Sequence, residues 1–216
     1  MNRPSKNIDD RLIASGLALL PVTGCGGLLV RKLVEHAGVN LGMFHYHFKN
    51  KENFIRMVLE RLYEEMFADL QLQAEAGPDP IANLRAAVTV LGSFARENRA
   101  MLLMLVSEAM QGEPLVLQFL RANLPRHLLV IAGLVARGQA EGRILNLPIA
   151  QLLPFLIGAI AGPVLAGGAA ERHGALPPAF AALGHAVLLS PEALSLRIEL
   201  ALRAIAIAIA PPPEAT

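Results

Sequence analysis

The sequence has little cysteine and almost no net charge. The first excludes a fold held by disulfides, and the second excludes an inference of function from overall charge. A single cysteine, Cys25, among 216 residues excludes an internal disulfide framework and fits a reducing compartment. A net charge of +1 excludes an argument for nucleic-acid binding from overall charge, so only the distribution of charge is informative. The first residues also lack the apolar segment and cleavage site of a secretory signal. We therefore expect a cytoplasmic protein.

The charges are distributed unevenly along the chain. Residues 1–56 contain eight Lys and Arg against four Asp and Glu, which gives +4, whereas residues 57–216 contain eleven against fourteen, which gives −3. All the lysines lie in the basic part: Lys6, Lys32, Lys49 and Lys51. This break favours two parts with different tasks. The alternative is that a GC-rich genome favours arginine and that the lysines are placed by chance.

Hydrophobic residues make up 54% of the chain, which excludes a disordered protein and supports a large core in one or two domains. These residues recur at helical spacing, and no segment alternates as a strand does. The sequence therefore predicts an all-α fold with about nine helices. The predicted helices cover residues 8–20, 28–36, 40–46, 50–77, 81–98, 101–110, 115–139, 149–170 and 191–209.

Residues 28–48 have the pattern of a helix-turn-helix, in which two short helices cross steeply and the second enters the major groove of DNA. Gly38 supplies the turn, because glycine adopts positive φ at little cost. Phe48 is the predicted plug beneath the second helix. Other apolar and small residues on both sides of the turn are expected to lock the two helices to a third: Leu33, Val34, Ala37, Val39 and Phe44.

This segment resembles the N-terminal part of the tetracycline-repressor-type (TetR) transcriptional regulators. The matching residues are Val30, Arg31, Leu33, Ala37, Gly38, Val39, Gly42, Phe44, Tyr46, His47, Phe48, Lys49, Asn50, Lys51 and Glu52. The chain departs from the family at Leu28 and Leu29, where the family usually has Thr or Ser. It departs again at residues 40–43, Asn-Leu-Gly-Met, where the family usually has Ser-Lys-Gly-Thr. We therefore expect a base preference that differs from that of better-matched relatives.

The resemblance implies the domain organisation and the partners. It implies a three-helix helix-turn-helix domain over residues 1–50 and a helical ligand-binding and dimerisation domain over residues 51–210, with residues 51–75 as a linking helix and residues 211–216 as a tail. The last two long helices would form a homodimer, and the partner would be double-stranded DNA with two half-sites. The implied function is transcriptional regulation, more often by a repressor that an unknown small-molecule ligand releases.

Eight residues are the predicted DNA contacts: Asn40, Leu41, Gly42, Met43, His45, Tyr46, His47 and Lys51. Asn40 can donate and accept at a base edge, whereas Leu41 and Met43 can make only apolar contacts, such as those with a thymine methyl group. Gly42 allows close approach of the helix. The resemblance implies that His45 and Tyr46 reach phosphates or base edges. It also implies that His47 and Lys51 contact phosphates.

The C-terminal two thirds carry no linear motif. Apolar and thioether side chains that could line a ligand pocket, with one histidine that could orient a ligand, are Phe94, Met101, Met104, Leu105, Met110, Phe119 and His127. Ordinary packing in the core is the alternative for each apolar member. No metal site is predicted, because His45 and His47 do not share a helical face and no Cys or carboxylate completes a set. No cofactor is predicted, and Cys25 is expected to be inert.

Three other functions stay open at this stage. No charged side chain lies between Arg143 and Glu171, and residues 149–170 are long enough to cross a bilayer, so a membrane-associated helical protein is one alternative. The expectation is nevertheless no membrane, because a buried dimer helix has the same composition. A DNA-binding repressor without a ligand is the second alternative. An enzyme is the third and is not expected, because no catalytic grouping is evident.

Overall fold

The computed structural model describes residues 3–175, 177 and 183–207, and side chains from residue 8 onward. It confirms the all-α fold, since the described residues form ten helices and no strand. In chain order they are α1 (Arg3–Gly27), α2 (Val30–Ala37), α3 (Leu41–Phe48), α4 (Lys51–Ala74), α5 (Pro80–Glu97), α6 (Arg99–Met110), α7 (Pro114–Ala140), α8 (Ile149–His173), α9 (His185–Leu189) and α10 (Pro191–Ile205). Nine of the ten are α-helices, and α9 is a short π-helix.

Several predicted boundaries are wrong. The sequence predicts that α1 ends at Pro21, but helix continues through this proline to Gly27, with a non-helical break at Gly24 (φ 69°, ψ 175°). The helix α2 begins at Val30 and not at residue 28, because Leu29 is extended and precedes the first turn. The helix α3 continues to Phe48, two residues beyond its predicted end. The last helix ends at Ile205; residues 208 and 209 of its predicted span lie outside the described residues.

The chain divides into two compact units. The first unit comprises residues 1–65 and 98–124. In it α1 packs against α2, α3 and α6, and the core combines side chains of the helix-turn-helix with side chains of α4 and α6. Helix α6 therefore belongs to the same core as the predicted DNA-binding helices. The predicted domain boundary at residue 50 stays a prediction.

The second unit comprises residues 66–97 and 125–216. Its described helices include α5, which packs against both α8 and α10, and these two pack against each other. Gly92 on α5 allows the close approach: a Cβ atom at this position would lie 2.9 Å from Leu194 Cδ1 and 3.0 Å from Ile160 Cγ2. An ion pair between Arg85 and Glu199, at 2.7 Å, joins α5 to α10 at the surface.

Candidate nucleic-acid interface

The turn between α2 and α3 has the geometry expected from its glycine. Gly38 has φ 63° and ψ 38°, in the left-handed region, and its N–H donates to the carbonyl of Glu35 at 3.0 Å. The N–H of Val39 donates to the carbonyl of Val34, also at 3.0 Å. These bonds close the end of α2 and redirect the chain within three residues into α3.

Buried phenylalanines fix α3 from below. Phe44 and Phe48 on α3 and Phe54 on α4 have no exposed surface. The ring centroid of Phe54 lies 5.5 Å from that of Phe44 and 4.9 Å from that of Phe48, and both pairs pack edge to face. Edge-to-face pairs are favourable for aromatic rings beyond the burial of their area. The prediction that Phe44 and Phe48 lie beneath the helix is confirmed.

A side chain of α1 holds the turn in place. One terminal nitrogen of Arg11, Nη2, donates to the carbonyl of Ala37 at 2.6 Å and to that of Gly38 at 2.9 Å. These carbonyls are at the C-terminal end of α2, where a cation is also favoured by the helix dipole. This role of Arg11 is not among the predictions from the sequence. Arg11 lies 26 residues before its first partner, and no local pattern links them.

Opposite the phenylalanines, α3 has an exposed face formed by Leu41, Gly42, His45 and Tyr46. The side chains of Leu41 and His45, and the positions of Gly42 and Tyr46, are each four residues apart and so share one side of the helix. Tyr46 is 78% exposed and Leu41 is 40% exposed. Met43, another predicted contact, is half-buried at the edge of this face.

Asn40 is the N-cap of α3. Its Oδ1 accepts a hydrogen bond from the N–H of Met43 at 2.9 Å, which satisfies one of the unpaired amides of the first turn. The side chain is exposed, its NH₂ group remains a donor, and its Oδ1 has a second lone pair beside the one that serves the cap. The role of Asn40 at a base edge stays a prediction.

The two histidines of α3 have different surroundings. His45 is exposed, and its Nδ1 lies 3.2 Å from the carbonyl oxygen of Lys49. Because a carbonyl can only accept, Nδ1 carries the proton and Nε2 points elsewhere. The side chain of His47 is only 7% exposed, with Nδ1 2.7 Å from Asp9 Oδ1 and Nε2 buried. The phosphate contact predicted for His47 is not supported by this position, because the ring faces α1.

Two lysines flank the start of α4. The Nζ atom of Lys51 donates to the carbonyl of Gly26 at 3.0 Å, so part of its hydrogen-bonding capacity holds the end of α1. Lys49 is exposed and has φ 65° and ψ −57°. It is the one residue other than glycine with positive φ among those that the structure describes. Lys49 is not among the predicted DNA contacts, and its unusual backbone geometry is visible only in the structure.

Cys25 is buried at the end of α1. Its backbone N–H donates to Glu108 Oε1 on α6 at 2.8 Å. Burial, followed by the bond to Glu108, raises the pKa of the Cys25 thiol well above its usual range. A protonated, buried thiol is a poor nucleophile. Among the described residues, no three His, Cys, Asp or Glu side chains are grouped as a metal site requires.

The predicted pocket residues fall into different surroundings. Met101, Met104 and Leu105 are buried in the core of the first unit, and Phe119 packs edge to face with Tyr63 in the same unit, with centroids 6.1 Å apart. Met110 is 85% exposed, so it does not line an enclosed pocket within the first unit. Phe94 and His127 belong to the second unit and are half-buried.

The second unit leaves much apolar surface uncovered. Large hydrophobic side chains on α8 and α10 are exposed: Phe155, Ile157, Leu196 and Leu200. Two described helices, α7 and α8, are long and apolar enough to cross a membrane by length and composition, with 22% of the most apolar window of each buried. One or two such helices are weak evidence for a membrane, because a helix that a second protein molecule covers has the same composition.

These features define the class of the protein: an all-α chain whose N-terminal helix-turn-helix exposes one face of its second helix. Similar solved structures share this architecture along most of their length. The TetR family transcriptional regulator PfmR from Thermus thermophilus has a TM-score of 0.67 and 17% identity, over 90% of this chain and 98% of that one. Salmonella enterica GusR has a TM-score of 0.65 and 13% identity, over 95% and 98%.

A third similar structure is the transcriptional regulator FadR from Bacillus subtilis, in complex with stearoyl-CoA. It has a TM-score of 0.64 and 17% identity, over 84% of this chain and 97% of that one. No protein-family model matches the sequence, and no curated protein matches it. The chain therefore has the fold of the TetR-family transcriptional regulators, at a low level of sequence identity.

Proposed function

We propose that the chain is a DNA-binding transcriptional regulator of the TetR type, acting as a homodimer on an operator with two half-sites. The observation that carries the proposal is the exposed face of α3. The buried phenylalanines and the Arg11 hydrogen bonds hold the backbone of α3. The exposed side chains of this short helix are therefore available to contact DNA in the major groove. The resemblance to repressors favours repression as the direction of regulation.

The contacts with DNA follow from the positions of the side chains. Leu41, His45 and Tyr46 are accessible to base edges or the adjacent backbone. The donor group of Asn40 is available at the N-terminal end of α3. Lys51 can still donate two hydrogen bonds to a phosphate while it holds Gly26. His47 supports α3 through Asp9 and is withdrawn from the proposed set of contacts.

The DNA proposal is tested by selection of bound sequences from random duplex DNA, followed by fluorescence anisotropy. Tyr46→Ala should weaken binding to the selected site by roughly 5- to 150-fold, since a good base contact contributes about 1 to 3 kcal/mol. Its melting temperature should not change, because the side chain is exposed. Leu72→Ala is the matched control, an exposed position on α4. Failure to select any sequence, even at low ionic strength, would refute the proposal.

The apolar surface of α8 and α10 supports the homodimer. A two-fold interface uses the same patch on both molecules, and exposed apolar patches of this kind mark interaction surfaces. Leu200→Asp should give a monomer in light scattering after size-exclusion chromatography and should lower affinity for the two-site operator. Leu72→Asp introduces the same charge at an exposed position outside this surface and should leave the dimer intact. A dimer that survives Leu200→Asp would contradict the assignment.

Release by a small-molecule ligand is the remaining part of the proposal. The FadR structure holds stearoyl-CoA, so acyl-CoA thioesters of different length are the first compounds to test, alongside a general panel. A ligand should raise the melting temperature and lower operator affinity at the same concentration. Stabilisation by no compound, with operator binding intact, would favour a repressor without a ligand.

A membrane-associated protein is the second candidate, and the apolarity of α7 and α8 favours it. Pro154 and Pro163 lie inside α8, which membrane helices tolerate. Lysis without detergent separates the two functions. Recovery in the supernatant as a dimer supports the regulator, whereas recovery only with the membrane fraction supports the alternative.

A further inference from the structure

The first two residues of α3 offer no hydrogen-bonding side chain to a base. Leu41 is the first residue of the helix and is 40% exposed, and Gly42 beside it has no side chain. The residues at the N-terminal end of a recognition helix are the ones that reach base edges. The leading part of this helix therefore presents an aliphatic side chain next to a gap, which allows the helix to approach the bases closely.

Several polar groups close to Leu41 already have partners within the protein. The acceptor oxygen of Asn40 caps the N–H of Met43. The Nδ1 of His45 faces the carbonyl of Lys49, and that of His47 faces Asp9. Hydrogen bonds to the major-groove edge usually come from Arg, Lys, Asn or Gln acting in pairs of bonds. No residue of α3 has an arginine, lysine or glutamine side chain, and the Oδ1 atom of the asparagine that precedes it caps the helix.

We propose that the base recognised by Leu41 is a thymine, read through its C5-methyl group. Thymine is the one base of DNA that presents a methyl group in the major groove, and Leu41 can contact a base edge only through apolar atoms. This inference rests on the proposed function and specifies the chemistry of the DNA partner. Each half-site then contains at least one thymine whose replacement by uracil, which lacks only that methyl, weakens binding.

The experiment compares thymine with uracil at single positions. The selected operator is synthesised with uracil in place of one thymine at a time, symmetrically in both half-sites, and binding is measured by anisotropy. Loss of one buried methyl contact corresponds to about 0.8 kcal/mol, or roughly a fourfold loss per half-site. Replacement in both half-sites should therefore weaken operator binding roughly fifteenfold at the position that Leu41 contacts. The other thymines should give changes below about twofold.

Protein variants assign the effect to a side chain. Leu41→Ala should bind the thymine operator more weakly and should lose its preference for thymine over uracil at that one position. Leu72→Ala should keep the full preference, because this exposed leucine lies on α4 outside the exposed face of α3. The melting temperature of Leu41→Ala serves as the check that the helix-turn-helix is intact.

Each outcome decides something different. Selection of an operator with equal binding of thymine and uracil everywhere would overturn the methyl inference and leave DNA binding established. A thymine preference that survives Leu41→Ala would overturn the assignment to this residue. Failure to select any DNA would refute the proposed function, and this inference with it.

Discussion

Replacing Lys49 with glycine should make the protein more stable and its DNA binding weaker. Lys49 has φ 65° and ψ −57°, and the N–H of Asn50 donates to the carbonyl of Phe48 across it at 2.7 Å. This geometry is the γ-turn with positive φ, which is rare and strained for any residue with a Cβ atom. The side chain is exposed, so nothing in its packing accounts for a lysine at this position.

The expected gain in stability follows from the backbone. A residue in a sparsely populated conformation destabilises the folded state by about 1 to 3 kcal/mol, and glycine would remove this strain. The greater freedom of glycine in the unfolded chain offsets about 0.5 to 1 kcal/mol of that stabilisation. The free energy of unfolding of Lys49→Gly should therefore rise by about 0.5 to 2 kcal/mol. For a chain of this length each kcal/mol corresponds to about 2 to 4 °C, so the melting temperature should rise by roughly 1 to 8 °C.

The expected loss of affinity follows from the position of Lys49. Its N–H donates to the carbonyl of His45, and its own carbonyl faces the His45 ring, so it lies one helical turn beyond the exposed face of α3. If its ammonium meets a phosphate, Lys49→Gly should reduce the slope of log affinity against log salt by about 0.9 per contact, or about 1.8 for a dimer. Calorimetry and anisotropy at several salt concentrations measure both effects.

Lys49→Arg is the matched control, since it keeps both the charge and the backbone strain. It should change neither the melting temperature nor the salt dependence of DNA binding by much. A Lys49→Gly protein with an unchanged salt slope would refute the phosphate contact. A lower melting temperature would refute the argument from strain. A protein that is merely more stable, with unchanged binding, would mean that the lysine has no role in DNA recognition.

Three further substitutions test the frame of the helix-turn-helix by denaturant unfolding. Gly38→Ala puts a residue with a Cβ atom in the left-handed region and places that atom 2.7 Å from Arg11 Nη2. It should lower the free energy of unfolding by about 1 to 2 kcal/mol, and a decrease smaller than about 0.5 kcal/mol would contradict this prediction. Arg11→Ala removes both bonds to the end of α2 and should cost about 1 to 2 kcal/mol, with partial recovery in Arg11→Lys. Phe44→Ala empties a fully buried position and should cost about 3 to 5 kcal/mol; a loss below about 1 kcal/mol would show that the ring is not packed as described.

The parts of the fold that depend on local pattern could be predicted from the sequence. The burial of Leu33, Val34 and Ala37 and the turn at Gly38 follow from apolar spacing and from the conformational freedom of glycine. Pro21 is misleading. Its position predicts the end of α1, but the fixed φ of proline is compatible with helix, and the helix continues past it to a break at Gly24.

The parts of the site that depend on distant partners could not be predicted. The resemblance implies that His47 faces a phosphate, yet its partner is Asp9, and Lys51 holds the carbonyl of Gly26. Such pairs join residues that are far apart in the sequence. The chemistry of each side chain fits a contact with a phosphate as well as a contact within the protein. The cap formed by Asn40 is different, because asparagine just before a helix is a local signal that sequence analysis assigned to DNA instead.

Two kinds of side chain therefore contribute to recognition in separable ways. Asp9, Arg11 and His47 hold the angle of α3, and they contact other parts of the protein. Their loss should weaken binding to every sequence alike, because a displaced helix loses all its contacts together. Leu41 and Tyr46 are exposed and lie outside the core, so their loss should change which sequences are preferred while the fold persists. Repeating the selection with Arg11→Ala and with Leu41→Ala compares the two directly: the first should return the same operator at lower affinity, and the second a different one.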